Sequence, residues 1–197
     1  MRGVLGIVLG AVLSAQPAPL EPAHVVRGKT LRVDLPGLSA IQVQRDFRYA
    51  GAQRFILRGV ADAEQHAFAA TDATGTIERF YWFQFESLLP AAKGAYAYSK
   101  DTALSLAGLI WQTSVRRYTA PPEPDGDQAA LYKLFAARGW RQPLPALRAR
   151  LVYVPDPERR TELMIIYAEA ATSAAPPTAK ESAELLERAQ AGLRLVR

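Results

Sequence analysis

The chain has 197 residues, 49% hydrophobic and 22% charged, with 24 Lys and Arg against 19 Asp and Glu. Such a content supports a substantial core and is too apolar for a disordered segment. Cysteine is absent, which excludes disulfides, thiol redox chemistry, iron–sulfur clusters and thiolate zinc sites.

Met1-Arg2 supplies a charge, Gly3 to Leu13 is an unbroken apolar run, and Ser14-Ala15 closes it with small residues. Charged start, apolar stretch and small-residue exit, in that order, mark a secretion signal, with cleavage expected after Ala15. The run falls short of the ~20 apolar residues of a spanning helix. No cysteine follows it to carry a lipid. The expected organisation is a signal over 1–15, a proline-rich extended leader over 16–26 and one α+β domain over 27–197. The expected location is periplasmic or extracellular, with no stable membrane span after cleavage.

Period-two alternation then predicts half-buried strands. Leu31, Val33 and Leu35 alternate with Thr30, Arg32 and Asp34; Ile41, Val43, Phe47 and Tyr49 alternate with polar neighbours; Phe55 and Leu57 continue the pattern. Asp62–Ala70 and Thr76–Glu86 read as a hairpin around Thr71-Asp72-Ala73-Thr74-Gly75, where the glycine can adopt positive φ. Its second arm places Ile77, Tyr81, Phe83 and Phe85 on one face and Phe80 and Trp82 on the other, so this strand should be central and covered on both sides.

From Asp101 to Val115, Leu104, Gly108, Trp111 and Val115 fit a helix, and alternation around Gly108 fits a strand pair. Both readings stay open. Asp127 reads as the N-cap of a helix carrying Leu131, Leu134 and Phe135 and stopped at Gly139. Strands over Ala149–Val154 and Glu162–Glu169 follow. Thr178 to Glu181 has the pattern of a capping box, opening a helix that presents Leu185, Leu186, Ala189 and Leu193 to the core. The fold class is thus α+β, a mainly antiparallel sheet of about 6–7 strands with two or three helices on its faces.

No motif for a cofactor is present: no phosphate loop, no Gly-x-Ser-x-Gly, no His-Glu-x-x-His. Neither a cofactor nor a metal is expected. The catalytic candidates are Glu64 and His66, two residues apart on one strand face, where a carboxylate can orient an imidazole. As metal ligands two are too few, and His24, the other histidine, is expected to be exposed in the leader. Glu86, Glu162 and Glu169 are further acids of which a pair can face one cleft. Phe80, Trp82, Trp111 and Trp140 are candidates for lining an apolar pocket, set against the plainer role of core residues.

Charge is segmental. Residues 27–58 hold seven basic and two acidic residues, and 116–160 hold nine and five. Within the second region Arg116, Arg117, Arg148 and Arg150 are candidates for binding an anion, because the guanidinium fork grips carboxylate and phosphate in two places. Their dispersion argues against nucleic acid. The leading expectation is an exported non-enzymatic domain that binds a small apolar or anionic ligand or docks an envelope protein. The alternatives are an envelope-polymer hydrolase acting through carboxylates or Glu64 and His66, and a structural subunit of an envelope assembly.

Overall fold

The computed structural model describes residues 20–99 and 102–197. The predicted signal, its cleavage site and Asp101 lie outside the described residues. Two antiparallel sheets organise the rest. The smaller is formed by β1 (Val26–Arg27), β2 (Thr30–Leu35), β3 (Leu38–Val43) and β11 (Leu193–Val196), in the order β1-β2-β3-β11. The larger contains β4 (Arg48–Leu57), β5 (Ala61–Thr71), β6 (Ile77–Leu88), β7 (Ala103–Leu106), β8 (Leu109–Tyr118), β9 (Ala146–Tyr153) and β10 (Thr161–Ala170). Its order is β4-β5-β6-β10-β9-β8-β7. With α1 (Asp127–Ala136) and α2 (Ala179–Ala191) the architecture is broadly the expected α+β, its strands divided between two sheets rather than gathered in one.

The division falls inside a stretch whose apolar residues keep one parity, with the exposed Arg45 the one in-phase exception. Period-two patterning runs from Ile41 to Tyr49, yet the chain leaves strand conformation after Val43 and resumes it at Arg48. Phe47, 1% exposed, fills the core at this crossing. Leu31, Val33, Leu38, Ile41 and Val43 of the small sheet pack with Phe68, Tyr81, Phe83, Phe85, Leu163, Ile165 and Tyr167 of the large one, and with Leu185 and Ala189 of α2. A second, smaller cluster lies on the other face of the large sheet, where Phe80, Trp82, Ile166 and Ala168 meet Leu131 and Phe135 of α1. β6 and β10 are therefore covered on both faces, as the sequence of β6 requires.

The β5–β6 hairpin forms around Gly75 at φ +82°, with the Asp72 carboxylate accepting the backbone N–H groups of Thr74 and Thr76. A bulge near its tip pairs Ala70 with Arg79 but Thr71 with Ile77. The extra residue turns Ile77 to the α1 side, against the expectation that it shares a face with Tyr81. Segment 103–118 is the strand pair and not the helix. Ala107 and Gly108 have φ of +53° and +72°, and two successive positive φ values make the tight turn that suits a hairpin.

Helix α1 is capped by Gly126, one residue before the expected Asp127, whose carboxylate instead lies in the first turn and accepts the N–H of Gln128 at 2.7 Å. The capping box of α2 forms as read, with reciprocal Thr178 and Glu181 bonds. Leu193, expected on that helix, lies in β11. Gly192 stands between the two where Tyr81, whose hydroxyl donates to the Ala189 carbonyl at 2.8 Å, leaves no room for a Cβ. No helix of the described residues is long and apolar enough to cross a membrane.

Candidate functional site

Strand parity sorts the polar residues of the large sheet onto two sides. Facing the small sheet at the β4–β5 edge are Tyr49, Glu64 and His66. Glu64 is 4% exposed and His66 1%. His66 Nε2 lies 2.7 Å from Glu64 Oε1, and its Nδ1 lies 3.0 Å from the Tyr49 hydroxyl. The leader, expected to be free, is folded onto this group. Ala23 N–H donates to Glu64 Oε2 at 2.7 Å and His24 N–H to Oε1 at 2.8 Å, while His24 Nδ1 lies 3.1 Å from the same oxygen. The His24 ring stacks on Phe85 with centroids 3.8 Å apart. Its side chain is 20% exposed, a correction to the exposed histidine read from sequence. Burial alone raises the Glu64 carboxyl, but the bonds from both histidines and the two backbone N–H groups outweigh it and hold the carboxyl well below the usual carboxylate range.

The opposite side is polar across several strands. Gln65 of β5 donates to Gln84 of β6 at 2.6 Å and to the Asp127 carbonyl at 2.9 Å, and Gln84 donates in turn to Glu86. Glu86 sits directly opposite Glu162 of β10. Tyr96 donates to Glu86 at 3.1 Å and Tyr98 to Glu162 at 2.5 Å. Burial raises both carboxyls, and mutual repulsion adds to it at Glu162, which is pushed up to about 7 despite the Tyr98 bond and the nearby Arg150. Glu86 and Asp127 also line an open cleft of about 290 Å³ with Leu57, Val60 and Tyr96.

Further along the same side, Arg148 and Arg150 of β9 meet Arg116 of β8. Arg116 is directly opposite Arg148, and Ser114 opposite Arg150. Together with Tyr118 and Ile166 they line a cavity of about 50 Å³, several times the space that one water needs. Arg148 is 4% exposed. One of its terminal nitrogens donates to the Tyr132 hydroxyl at 2.8 Å, its guanidinium lies 4.0 Å from the centre of the Tyr118 ring, and its Nε has no partner. Arg150 lies over Tyr98. Among the described residues no ion pair joins any of the three to a carboxylate.

Arg117, grouped with them by sequence position, points to the other face, where it binds Glu181 at 3.0 Å and the Ser173 carbonyl at 2.6 Å. The aromatic set is likewise divided. Phe80 and Trp82 belong to the α1-side cluster, with Trp140 packed against it under Arg48, whereas Trp111 is buried in the core between the sheets. None of the four lines the arginine cavity or the Glu86 cleft. Glu169 is paired with Arg188 at 2.9 Å. Sequence reasoning missed Tyr49, Tyr98 and Ser114. Ser114 was accessible from strand parity; the tyrosines reach their partners through long-range folding.

No protein-family model matches the chain, and comparisons with curated proteins and with solved structures found no significant match.

Proposed function

We propose that the chain is an exported, non-enzymatic binding domain that takes an anionic group of a ligand or partner at Arg116, Arg148 and Arg150. One observation carries the reading: Arg116, Arg148 and Arg150 line one cavity, and among the described residues none of them forms an ion pair with a carboxylate. Like charges directly opposite on neighbouring strands are destabilising, and a buried cation without a counter-charge is costly. An anion with two or more oxygens removes both costs at once, through charge-assisted bonds in the fork geometry of arginine. Ser114 adds a hydroxyl donor, and Ile166 and Tyr118 wall the cavity with apolar surface. Export rests on the pattern of residues 1–15.

Inorganic phosphate and sulfate are the probes. Either should raise the melting temperature saturably at millimolar concentration, where binding is worth about 4 kcal/mol, and Arg150→Gln should weaken that effect at least ~10-fold. A melting temperature that follows ionic strength alone, equally in both proteins, would overturn the reading.

A second reading has its own observation. Glu86, with its carboxyl raised by burial, shares the open cleft with Asp127, an arrangement in which one acid donates a proton and the other accepts one. It makes the chain a hydrolase of envelope polymers. Turnover of such a polymer, lost in both Glu86→Gln and Asp127→Asn, would establish it over the binding role.

A further inference from the structure

We propose that His24, Glu64 and His66 form a binding site for one borderline divalent transition metal, Zn²⁺ foremost. Two ligands are countable on β5; the folded leader brings the third. The proposal is independent of the arginine cavity, which lies on the other side of the large sheet.

The geometry around Glu64 Oε1 leads to it. That single oxygen has three nitrogens within hydrogen-bonding distance: His24 N at 2.8 Å, His24 Nδ1 at 3.1 Å and His66 Nε2 at 2.7 Å. A carboxylate oxygen offers about two lone-pair directions, so it is over-subscribed. A cation between the two rings resolves the crowding, since both ring nitrogens then direct lone pairs at the metal and the backbone N–H groups of Ala23 and His24 keep the carboxylate. The three ligand atoms all lie within 4.8 Å of one another. With metal–ligand distances of about 2.0–2.1 Å, atoms along a tetrahedral edge are roughly 3.3 Å apart. Against the 3.1 and 2.7 Å that separate His24 Nδ1 and His66 Nε2 from the Glu64 oxygen, the rings withdraw from it by roughly 0.2 and 0.6 Å.

The outer contacts fit the same assignment. A metal-bound histidine almost always donates its other ring N–H, and His66 Nδ1 faces the Tyr49 hydroxyl at 3.0 Å. On binding, the His66 proton moves from Nε2 to Nδ1 and Tyr49 changes from donor to acceptor. His24, one-fifth exposed and stacked on Phe85, leaves the site a route to solvent. Two imidazoles and one carboxylate suit Zn²⁺ and exclude Ca²⁺ and Mg²⁺, which require oxygen ligands. Three protein ligands leave the fourth tetrahedral position to water or an incoming ligand.

The test is calorimetric titration of Zn²⁺ into the chelator-treated full chain, prepared without a polyhistidine tag, alongside Ca²⁺ and Mg²⁺. One equivalent of Zn²⁺ should bind with a Kd below about 10 μM and neither of the other ions should. His24→Gln, at a partly exposed position, should weaken binding at least ~100-fold, and Tyr49→Phe about 10–100-fold. Because the chain has only two histidines, ¹⁵N spectra of the imidazoles give a readout that needs no variant: Zn²⁺ should shift one ring nitrogen of each. Absence of saturable Zn²⁺ binding, equal affinity in His24→Gln, or unshifted imidazoles would overturn the assignment.

Discussion

The two faces of the seven-stranded sheet are made from the same strands and follow different rules. Toward the small sheet, β6 and β10 present Tyr81, Phe83, Phe85, Leu163, Ile165 and Tyr167, and the polar residues at the edge are bound to one another. Toward α1, the same strands present Gln84, Glu86 and Glu162 beside Phe80 and Trp82, and β9 adds two arginines. Acid is opposite acid at Glu86 and Glu162, and base opposite base at Arg116 and Arg148. Interleaving the charges would have been more stable. A face that sets like charges directly opposite one another sacrifices stability, which is common where a surface must meet something other than itself.

The largest effect expected from this contrast is on the inner face. Phe83→Ala, at a fully buried position, should cost about 3–5 kcal/mol in denaturant unfolding; a loss under 1 kcal/mol would mean that this face is not the main core.

Next is the acid pair. The Glu162 carboxyl is raised from 4.5 to about 7, so the folded state holds its proton more tightly than the unfolded chain does. The associated stability is complete below about pH 4.5 and is lost as the pH rises through about 7, on the order of 3 kcal/mol in all. Glu162→Gln should flatten this dependence and be the more stable protein at pH 8. Parallel pH profiles of the two proteins would break the comparison.

Arg148→Met sharpens it. Replacing a buried, unpaired cation by an apolar side chain should leave stability unchanged or raise it by up to about 2 kcal/mol, while removing the response to phosphate. A clear loss of stability would identify Arg148 as a structural strut. The smallest effect lies away from both faces: Thr178→Ala, which removes the α2 cap, should cost about 1 kcal/mol and leave phosphate binding intact.

Local chemistry made much of the fold legible. The β5–β6 hairpin and the α2 cap follow from turn and capping residues a few positions apart. Ambiguity remained where two periods fit one short segment, as from Leu104 to Val115, and the positive φ at Ala107, a non-glycine residue, is not a signal that sequence provides. The bulge that reverses Ile77 is a further single-residue shift that alternation does not anticipate. At the sites, parity was the usable signal and adjacency the misleading one. Arg116 shares a face with Arg148 and Arg150, whereas Arg117, next to it in the chain, is on the other side. Nothing near His24 indicates that it meets Glu64, because the leader docks through contacts some forty positions away.

The small sheet also sets an order of events during folding. Its closing strand, β11, pairs Leu193 with Val43 and Leu195 with Ile41, and everything in the large sheet is encoded between them. Loops of that length close late, because their entropy must be overcome before the contacts reward it. While the chain is being synthesised, β3 therefore waits as an unpaired edge, its Ala40 and Ile41 row open to any passing strand, until β11 arrives. Whatever protects a nascent chain from aggregation is needed longest by this protein at the outer edge of β3, made early and covered late.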